Sequence, residues 1–246
     1  GAILGLIMRQ RMLASSIPAA VERWGDDGYL SSISLEILGE ETETLVEDAE
    51  KFDLNEDNLD NDDFVINQKI NIDNNDLGKI NLKELEINDS KYIHFVNSIR
   101  RQLKENPKDK IIVFSYFRGT ISYLKRRLND EENIDCLVIM GGITDEEVED
   151  IMEKFKDPEG PNILISSDKG SEGIDLQFSH ILFNYDLPWN PMKVEQRIGR
   201  IDRLGQKAKA LNIINFFYKD TIDERIHDRL FNRIELFKNS IGDMEE

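Results

Sequence analysis

Residues 162–175 read Asn-Ile-Leu-Ile-Ser-Ser-Asp-Lys-Gly-Ser-Glu-Gly-Ile-Asp, an apolar run that passes directly into a loop rich in glycine and serine. A short continuous apolar run is typical of a strand that is buried on both faces of a parallel sheet. The small residues after it let backbone amides approach a phosphate or a sugar. Many α/β proteins carry such loops, so this stretch predicts a strand and leaves its ligand open.

Similar apolar runs recur on both sides of this strand, with helical patterns between most of them. A helix is predicted from Lys91 to Lys104, where apolar residues recur at helical spacing. Strands that alternate with helices indicate βαβ units and a parallel sheet. We therefore predict an α/β fold, a three-layer lobe with a mostly parallel sheet, whose ligands collect beyond the carboxyl ends of the strands. The predicted strands are 111–115, 135–140, 162–167, 180–185 and 211–218.

Length and composition limit the possible classes of protein. A chain of 246 residues suits one domain with an appendage, or two small domains. The single cysteine, Cys136, excludes an internal disulfide framework and fits a reducing compartment. No apolar stretch reaches the about 18 residues that a membrane span needs. We expect a cytoplasmic protein that does not bind membranes.

The negative charge is concentrated in one segment. The chain has a net charge of −18, but residues 36–90 alone hold 18 acidic and 4 basic residues. The remainder is close to balanced, so the total charge does not exclude a nucleic-acid partner. We predict a helical segment at 1–35, with a break at Pro18, an acidic and partly flexible insertion at 36–90, and the main lobe at 91–246.

Residues 196–206 read Gln-Arg-Ile-Gly-Arg-Ile-Asp-Arg-Leu-Gly-Gln. Arg197, Arg200 and Arg203 are three positions apart, and on one helix this spacing would stack their guanidinium groups along one face. Permanently charged, forked donors suit the charge that develops on a transferring phosphoryl group. A solvated surface helix is the alternative interpretation, although such a helix more often carries acidic residues four positions away.

Two further strand ends carry polar residues. Residues 184–191 contain two prolines, which predict an extended loop just before the arginine motif. Trp189 in this loop is interpreted as a packing residue rather than a base-stacking one. After the strand at 111–115, Ser115, Arg118 and Thr120 are suited either to a backbone phosphate or to capping of the next helix.

Five blocks, taken in order, resemble the second RecA-like lobe of superfamily 2 helicases. Asp-Leu-Pro-Trp-Asn-Pro together with Arg-Leu-Gly-Gln resembles the Swi/Snf-type translocase branch, and is especially similar to the bacterial subgroup that includes the RNA-polymerase-recycling ATPase. The resemblance covers residues 91–235. The blocks are Ile-Ile-Val-Phe-Ser (111–115), Met-Gly-Gly (140–142), Ser-Asp-Lys-Gly-Ser-Glu-Gly-Ile-Asp (167–175), Asp-Leu-Pro-Trp-Asn-Pro (186–191) and the arginine motif (196–206).

The resemblance implies a role for each matching residue. ATP and Mg²⁺ would lie between two lobes, with Arg200 and Arg203 as arginine fingers and Gln196 helping to orient the attacking water or a finger. Arg197 belongs to the same nucleotide site, where it braces the helix or pairs with an acidic residue. The remaining predicted residues are Gly173 and Asp175 for nucleotide binding, and Ser115, Arg118, Gly141, Ser167 and Lys169 for nucleic-acid binding.

The chain lacks the other half of the chemistry that the resemblance implies. It contains neither a Gly-x-x-x-x-Gly-Lys-Ser/Thr P-loop nor an acidic magnesium motif after a buried strand. The acidic stretch 145–147 is interpreted instead as a helix start, with Thr144 as N-cap and Glu147 as its capping-box partner. We therefore expect a first RecA-like lobe upstream in the same protein, no ATP hydrolysis by this chain alone, and DNA as the partner, with RNA polymerase or another nucleoprotein complex as a candidate.

Two other functions remain open from the sequence. The chain could be a non-catalytic interaction domain whose acidic segment 36–90 docks a basic partner. It could also be a lobe of a DEAD-box type RNA helicase, which shares the arginine spacing. Residues 221–237 carry a complete apolar stripe at helical spacing, which predicts a helix that packs back across the lobe as a brace.

Overall fold

The computed structural model describes residues 2–26, 80–188, 190–221 and 223–228. Within them, five strands form one sheet in the order β2-β3-β1-β4-β5, and every neighbouring pair is parallel. The predicted parallel α/β architecture is therefore confirmed. The strands are β1 Ile111–Phe114, β2 Cys136–Ile139, β3 Ile163–Ser166, β4 Ile181–Asn184 and β5 Asn212–Asn215.

Each strand lies inside the apolar run that predicted it. The largest difference is at β5, which was predicted over 211–218 but ends at Asn215. Asn215 pairs with Asn184, the last residue of β4, so β5 has no strand partner beyond this position. The length of the neighbouring strand therefore limits β5 more than its own apolar content does.

Helices cover both faces of the sheet and complete three layers. Val113 belongs to the apolar core that includes Phe95 and Leu124 on one face. The next residue, Phe114, belongs to the core on the opposite face together with Phe155. This alternation is expected for a strand that is buried on both faces. The helices are α1 Ala2–Ser15, α2 Ile17–Asp26, α3 Leu82–Ile87, α4 Ser90–Glu105, α5 Arg118–Asp130, α6 Asp145–Lys156 and α7 Pro191–Ile201.

The acidic stretch at 145–147 is a helix start, as the sequence predicted. The Thr144 hydroxyl accepts a hydrogen bond from the Glu147 amide at 3.3 Å, and the Glu147 carboxylate accepts one from the Thr144 amide at 2.8 Å. These reciprocal bonds form a capping box, which satisfies amides that the first helical turn leaves free. The carboxylates at this position therefore stabilise α6.

The N-terminal helices pack against the lobe through buried polar contacts. Lys91 Nζ donates a hydrogen bond to the Ala14 carbonyl at 2.8 Å and lies 3.9 Å from an oxygen of Asp223. Burial lowers the pKa of Lys91 and raises the pKa of Asp223, while the attraction between the two charges opposes both shifts. Helix α1 ends at Ser15 and α2 starts at Ile17, so the break falls just before Pro18.

Several predictions lie wholly or partly outside the described residues. The acidic insertion is described only from residue 80, where α3 and the N-cap of α4 occur. Trp189 and residues 229–237 of the predicted brace helix are not described, whereas residues 223–228 are helical. Across the described ranges, none of the helices has the length and apolarity that a membrane crossing requires.

Candidate nucleotide and nucleic-acid site

Helix α7 carries the first part of the arginine motif. Its N-cap, Asn190, accepts a hydrogen bond from the Met192 amide at 2.8 Å, and a proline stands at the start of the helix, where its missing amide is harmless. The helix ends at Ile201, with Asp202 as C-cap. Arg203 therefore lies beyond the helix, and the predicted stacking of three guanidinium groups along one helical face is wrong.

Arg197 points into the protein and is 2% exposed. Its Nε and Nη2 donate to the two carboxylate oxygens of Asp168, at 2.5 and 2.8 Å. Its Nη1 donates to the Asn184 side-chain oxygen and to the Asp186 carbonyl, both at 2.8 Å. The side chain therefore braces α7 against the loops after β3 and β4 and pairs with the acidic Asp168, which combines the two alternatives expected for Arg197.

Arg200 and Arg203 both contact the residues around Asp175, Arg200 through its backbone and Arg203 through its side chain. The Arg200 carbonyl accepts a hydrogen bond from the Leu176 amide at 3.1 Å. Arg203 Nε donates to the Gly199 carbonyl at 3.1 Å, and its Nη1 lies 3.9 Å from Asp175 Oδ1. The structure thus brings residues 200–206, called here the arginine turn, next to residues 173–179, called the Asp175 loop.

Arg203, Asp175 and Gln196, three of the predicted nucleotide-site residues, are accessible. The side chains of Arg203 and Asp175 are 39% and 46% exposed, and Gln196 is exposed on α7. Gly173 has a φ of +78°, a conformation that favours glycine, and nothing lies within 4 Å of where a Cβ would be. An exposed guanidinium beside an exposed carboxylate suits one side of a nucleotide, with the phosphates toward the cation and a hydroxyl toward the acid.

Four of the predicted nucleic-acid residues, called here the strand-end cluster, meet beyond β1, β2 and β3. They are Arg118, Gly141, Ser167 and Lys169. Arg118 Nη2 donates to the Gly141 carbonyl at 3.2 Å, and a Cβ on Gly141 would lie 3.3 Å from Lys169 Cδ. The Ser167 hydroxyl accepts a hydrogen bond from the Gly170 amide at 3.0 Å. Two exposed cationic side chains therefore share one edge of the sheet.

Ser115 is placed differently from the other predicted nucleic-acid residues. It is fully buried, and its hydroxyl donates to Asp186 Oδ2 at 2.7 Å. The predicted contact of this side chain with nucleic acid would require that hydrogen bond to open. In the described structure Ser115 supports the end of β1.

The role of Asp186 is not predicted from the sequence. Its carboxylate accepts hydrogen bonds from the Ser15 hydroxyl, the Ser115 hydroxyl and the Tyr116 amide, each at 2.7 Å. Asp186 is 1% exposed, so these donors replace the water that a buried carboxylate loses. A charged residue directly after a buried strand was the signal for such a role, because it must find partners inside the fold.

Gly170 was interpreted as a small residue that lets amides approach a phosphate. A Cβ at this position would lie 2.8 Å from the Ile139 carbonyl oxygen, which is backbone and cannot move aside easily. The glycine therefore allows the loop after β3 to pack against the end of β2. Among the described residues, no group of three or more His, Cys, Asp or Glu side chains is placed to hold a metal ion.

Comparison with known proteins agrees with this geometry. Residues 91–205 match the helicase conserved C-terminal domain. A Bacillus subtilis (strain 168) protein, the uncharacterized ATP-dependent helicase YqhH, is 38% identical over 138 residues, which cover 56% of this chain and 24% of that protein. The RNA polymerase-associated protein RapA of Vibrio campbellii is 37% identical over 143 residues, covering 56% of this chain and 15% of RapA. The aligned part is thus a quarter or less of these relatives.

Solved structures support the same fold. The C-terminal part of the Fun30 ATPase domain matches with a TM-score of 0.52 and 25% identity, over 63% of this chain and 49% of that chain. The Pyrococcus furiosus Hef helicase domain matches with a TM-score of 0.50 and 26% identity, over 63% of this chain and 31% of that one. The resemblance to RecA-like lobes of superfamily 2 is therefore confirmed.

Proposed function

Residues 91–205 are a helicase C-terminal domain, and on this premise we propose that the chain is the second motor lobe of an ATP-dependent translocase that acts on double-stranded DNA. A first RecA-like lobe of the same protein would hold most of the ATP and Mg²⁺, because this chain contains no P-loop sequence. The observation that carries the proposal is the pairing of the exposed Arg203 with Asp175, in a segment that also contacts the backbone of Arg200.

When bound, ATP supplies the phosphoryl group that is transferred to water. This chain's own contribution is electrostatic: Arg200 and Arg203 present fixed positive charge to the γ-phosphate, and Gln196 helps to orient the attacking water or a finger. Arg203 keeps its Nη atoms accessible, because its only hydrogen bond in the described structure uses Nε. Gly173 and Asp175 contact the nucleotide from the neighbouring loop, while Arg197 holds the helix that carries the motif.

The strand-end cluster would form one wall of the DNA track. Arg118 and Lys169 attract backbone phosphates, and the backbone near Gly141 and Ser167 contributes hydrogen-bonding groups without reading the sequence. With only one wall present, we expect this chain alone to bind duplex DNA weakly, with an affinity that falls steeply as salt rises.

The test compares ATP hydrolysis by residues 1–246 with hydrolysis by the complete protein that contains a first lobe. We expect no turnover from the isolated chain and DNA-stimulated turnover from the complete protein. In the latter, Arg200→Ala should lower kcat by roughly 10³–10⁵. Arg101→Ala, which removes an exposed arginine from α4, is the matched control. Turnover by the isolated chain would contradict the two-lobe proposal.

The same assay separates the other functions. Unchanged ATPase activity in Arg200→Ala would favour an interaction domain that uses its acidic segment to dock a basic partner. Stimulation by RNA but not by duplex DNA would favour an RNA helicase lobe. The name of the Vibrio relative makes RNA polymerase a candidate partner, and co-sedimentation of the complete protein with RNA polymerase tests this directly.

A further inference from the structure

The side chain of Gln206 uses both ends of its carboxamide. Its Nε2 lies 2.9, 2.8 and 2.9 Å from the carbonyl oxygens of Gln177, Ser179 and Ile201. Its Oε1 accepts a hydrogen bond from the Ala208 amide at 2.9 Å. Two N–H groups serve three carbonyls, so at least one of them is shared. The reversed amide would set Oε1 against three carbonyl oxygens, which fixes the orientation.

These bonds join the two segments of the proposed nucleotide site. Gln177 and Ser179 belong to the Asp175 loop, and Ile201 is the last residue of α7. At the backbone, the Gln206 amide donates to the Arg203 carbonyl at 2.9 Å. One residue is therefore anchored through its side chain to the Asp175 loop and through its backbone to Arg203.

Gly205 strengthens the same connection. Its φ of +108° turns the chain back toward the Asp175 loop, and a Cβ at this position would lie 3.4 Å from the Gln177 side chain. The arginine turn thus passes close to the Asp175 loop at the residue just before Gln206, whose side chain contacts the three carbonyl oxygens. By contrast, the Arg203 side chain has one hydrogen bond, to Gly199, and a 3.9 Å ion pair. Its location therefore depends mainly on the backbone of the turn.

We propose that Gln206 is a positioning residue for ATP hydrolysis, which holds the Arg203 guanidinium in place beside Asp175. The inference rests on the proposed function, because it assigns Gln206 an effect through Arg203. Gln206 itself does not contact the nucleotide. Its removal frees the arginine turn from the Asp175 loop, so Arg203 no longer reaches the developing charge with a defined geometry.

The decisive measurement is a double-mutant cycle of kcat in the complete protein. Gln206→Ala should lower kcat by roughly 10–100-fold, the loss expected when a catalytic group is displaced by about 1 Å, with little change in the KM for ATP. Arg203→Ala should lower kcat further. If Gln206 acts through Arg203, adding Gln206→Ala to Arg203→Ala should change nothing more. Two effects that multiply would overturn the inference, because a purely structural role lowers kcat whether or not Arg203 is present.

Two variants of the same turn keep the test valid if Gln206→Ala folds poorly. Gln206→Glu preserves the shape but sets a carboxylate against three carbonyls, so kcat should fall at least as far as with alanine. Gly205→Ala strains the turn and leaves the Gln206 side chain intact, and it should also lower kcat only when Arg203 is present. Gln102→Ala, which removes a hydrogen bond to Asp109 at 2.8 Å, is the matched control and should leave kcat unchanged.

The outcomes separate this inference from the proposed function. If Arg203→Ala hydrolyses ATP normally, both the finger assignment and the inference fail. If Arg203→Ala is inactive and folded Gln206→Ala is normal, only the inference fails. Thermal unfolding of each variant shows whether a loss of kcat accompanies a loss of folded protein.

Discussion

Arg197 and Arg203 are six positions apart in one motif, yet the first side chain is buried in the fold and the second is exposed. Arg197 is 2% exposed and donates four hydrogen bonds to three residues. The Arg203 side chain is 39% exposed and donates one. Residue type and spacing suggested equivalent roles, and the difference shows that the surrounding acceptors decide which arginine stabilises the fold and which is available to a ligand.

The cause lies in the oxygen acceptors that surround each arginine. Arg197 meets Asp168, after β3, and Asn184 and Asp186, at the end of β4, and these supply four oxygen acceptors in a buried site. Arg203 follows the end of α7, and among the described residues its side chain contacts the Gly199 carbonyl and Asp175. A buried guanidinium that uses four of its five N–H donors on protein oxygens is a poor ligand for a phosphate.

The largest effect that separates the two residues should be on catalysis. Arg203→Ala in the complete protein should lower kcat by roughly 10³–10⁵, while the free energy of unfolding changes by no more than about 1 kcal/mol, as for exposed ion pairs. ATPase kinetics and urea unfolding of the same preparation check both values. A large loss of stability in this variant would break the contrast with Arg197.

The second-largest effect should be on stability and should come from Arg197. Arg197→Ala removes the buried cation of an ion pair whose carboxylate, on Asp168, is 20% exposed, so the free energy of unfolding should fall by about 3 kcal/mol, the lower end of the range for buried pairs. Urea unfolding of residues 1–246 measures this without ATP. Arg197→Lys should restore only part of the loss, because one ammonium cannot reproduce the fork that binds both oxygens of Asp168. Equal stability of Arg197→Ala and Arg203→Ala would contradict the assignment of Arg197 as a brace.

A smaller effect extends the contrast to the loop after β3. Gly170→Ala forces a Cβ against the Ile139 carbonyl at 2.8 Å and should lower the free energy of unfolding by about 1–3 kcal/mol. Gly142→Ala is an informative comparison, because that glycine also lies near the cluster but has open space and a φ of +94°. Crowding predicts a shifted β2–β3 contact in Gly170→Ala alone, which amide hydrogen exchange at Ser167 reports.

The smallest effect concerns the strand-end cluster. Lys169→Gln should weaken DNA binding by a similar factor for every sequence and reduce the slope of log K against log salt by about 1. Fluorescence anisotropy over a range of salt concentrations measures the slope. Lys125→Gln, on α5, is the control for a general loss of positive charge. An unchanged slope in Lys169→Gln would show that Lys169 does not contact the phosphates of the bound DNA.

The sequence predicted what depends on local pattern. The apolar runs located the strands to within a few residues, and Thr144 with Glu147 identified the start of α6 because a capping box is complete within four residues. Burial on both faces of the sheet followed from the same runs. The parallel α/β fold was therefore accessible from the sequence.

Contacts between segments that are distant in the chain could not be predicted from local sequence patterns. Ser115 is predicted to bind nucleic acid because a hydroxyl at a strand end has no visible partner in the sequence. In the fold, Asp186 lies 71 positions away and accepts a hydrogen bond from that hydroxyl. The roles of Asp186 and Gln206 could not be predicted for the same reason, because their partners lie elsewhere in the chain. A polar residue shows its chemistry in the sequence, but the fold alone determines whether protein groups already satisfy it.

The bond between Ser15 and Asp186 also sets the order in which the lobe can be completed during synthesis. The two residues are 171 positions apart, which corresponds to roughly 9–34 s of translation. Until Asp186 emerges, α1 lacks the carboxylate that holds its end, and buried residues such as Met12 and Ala14 have no finished surface to cover them. Helix α1 is thus made well before the strand end that holds it, so its native contacts form late in the synthesis of this lobe.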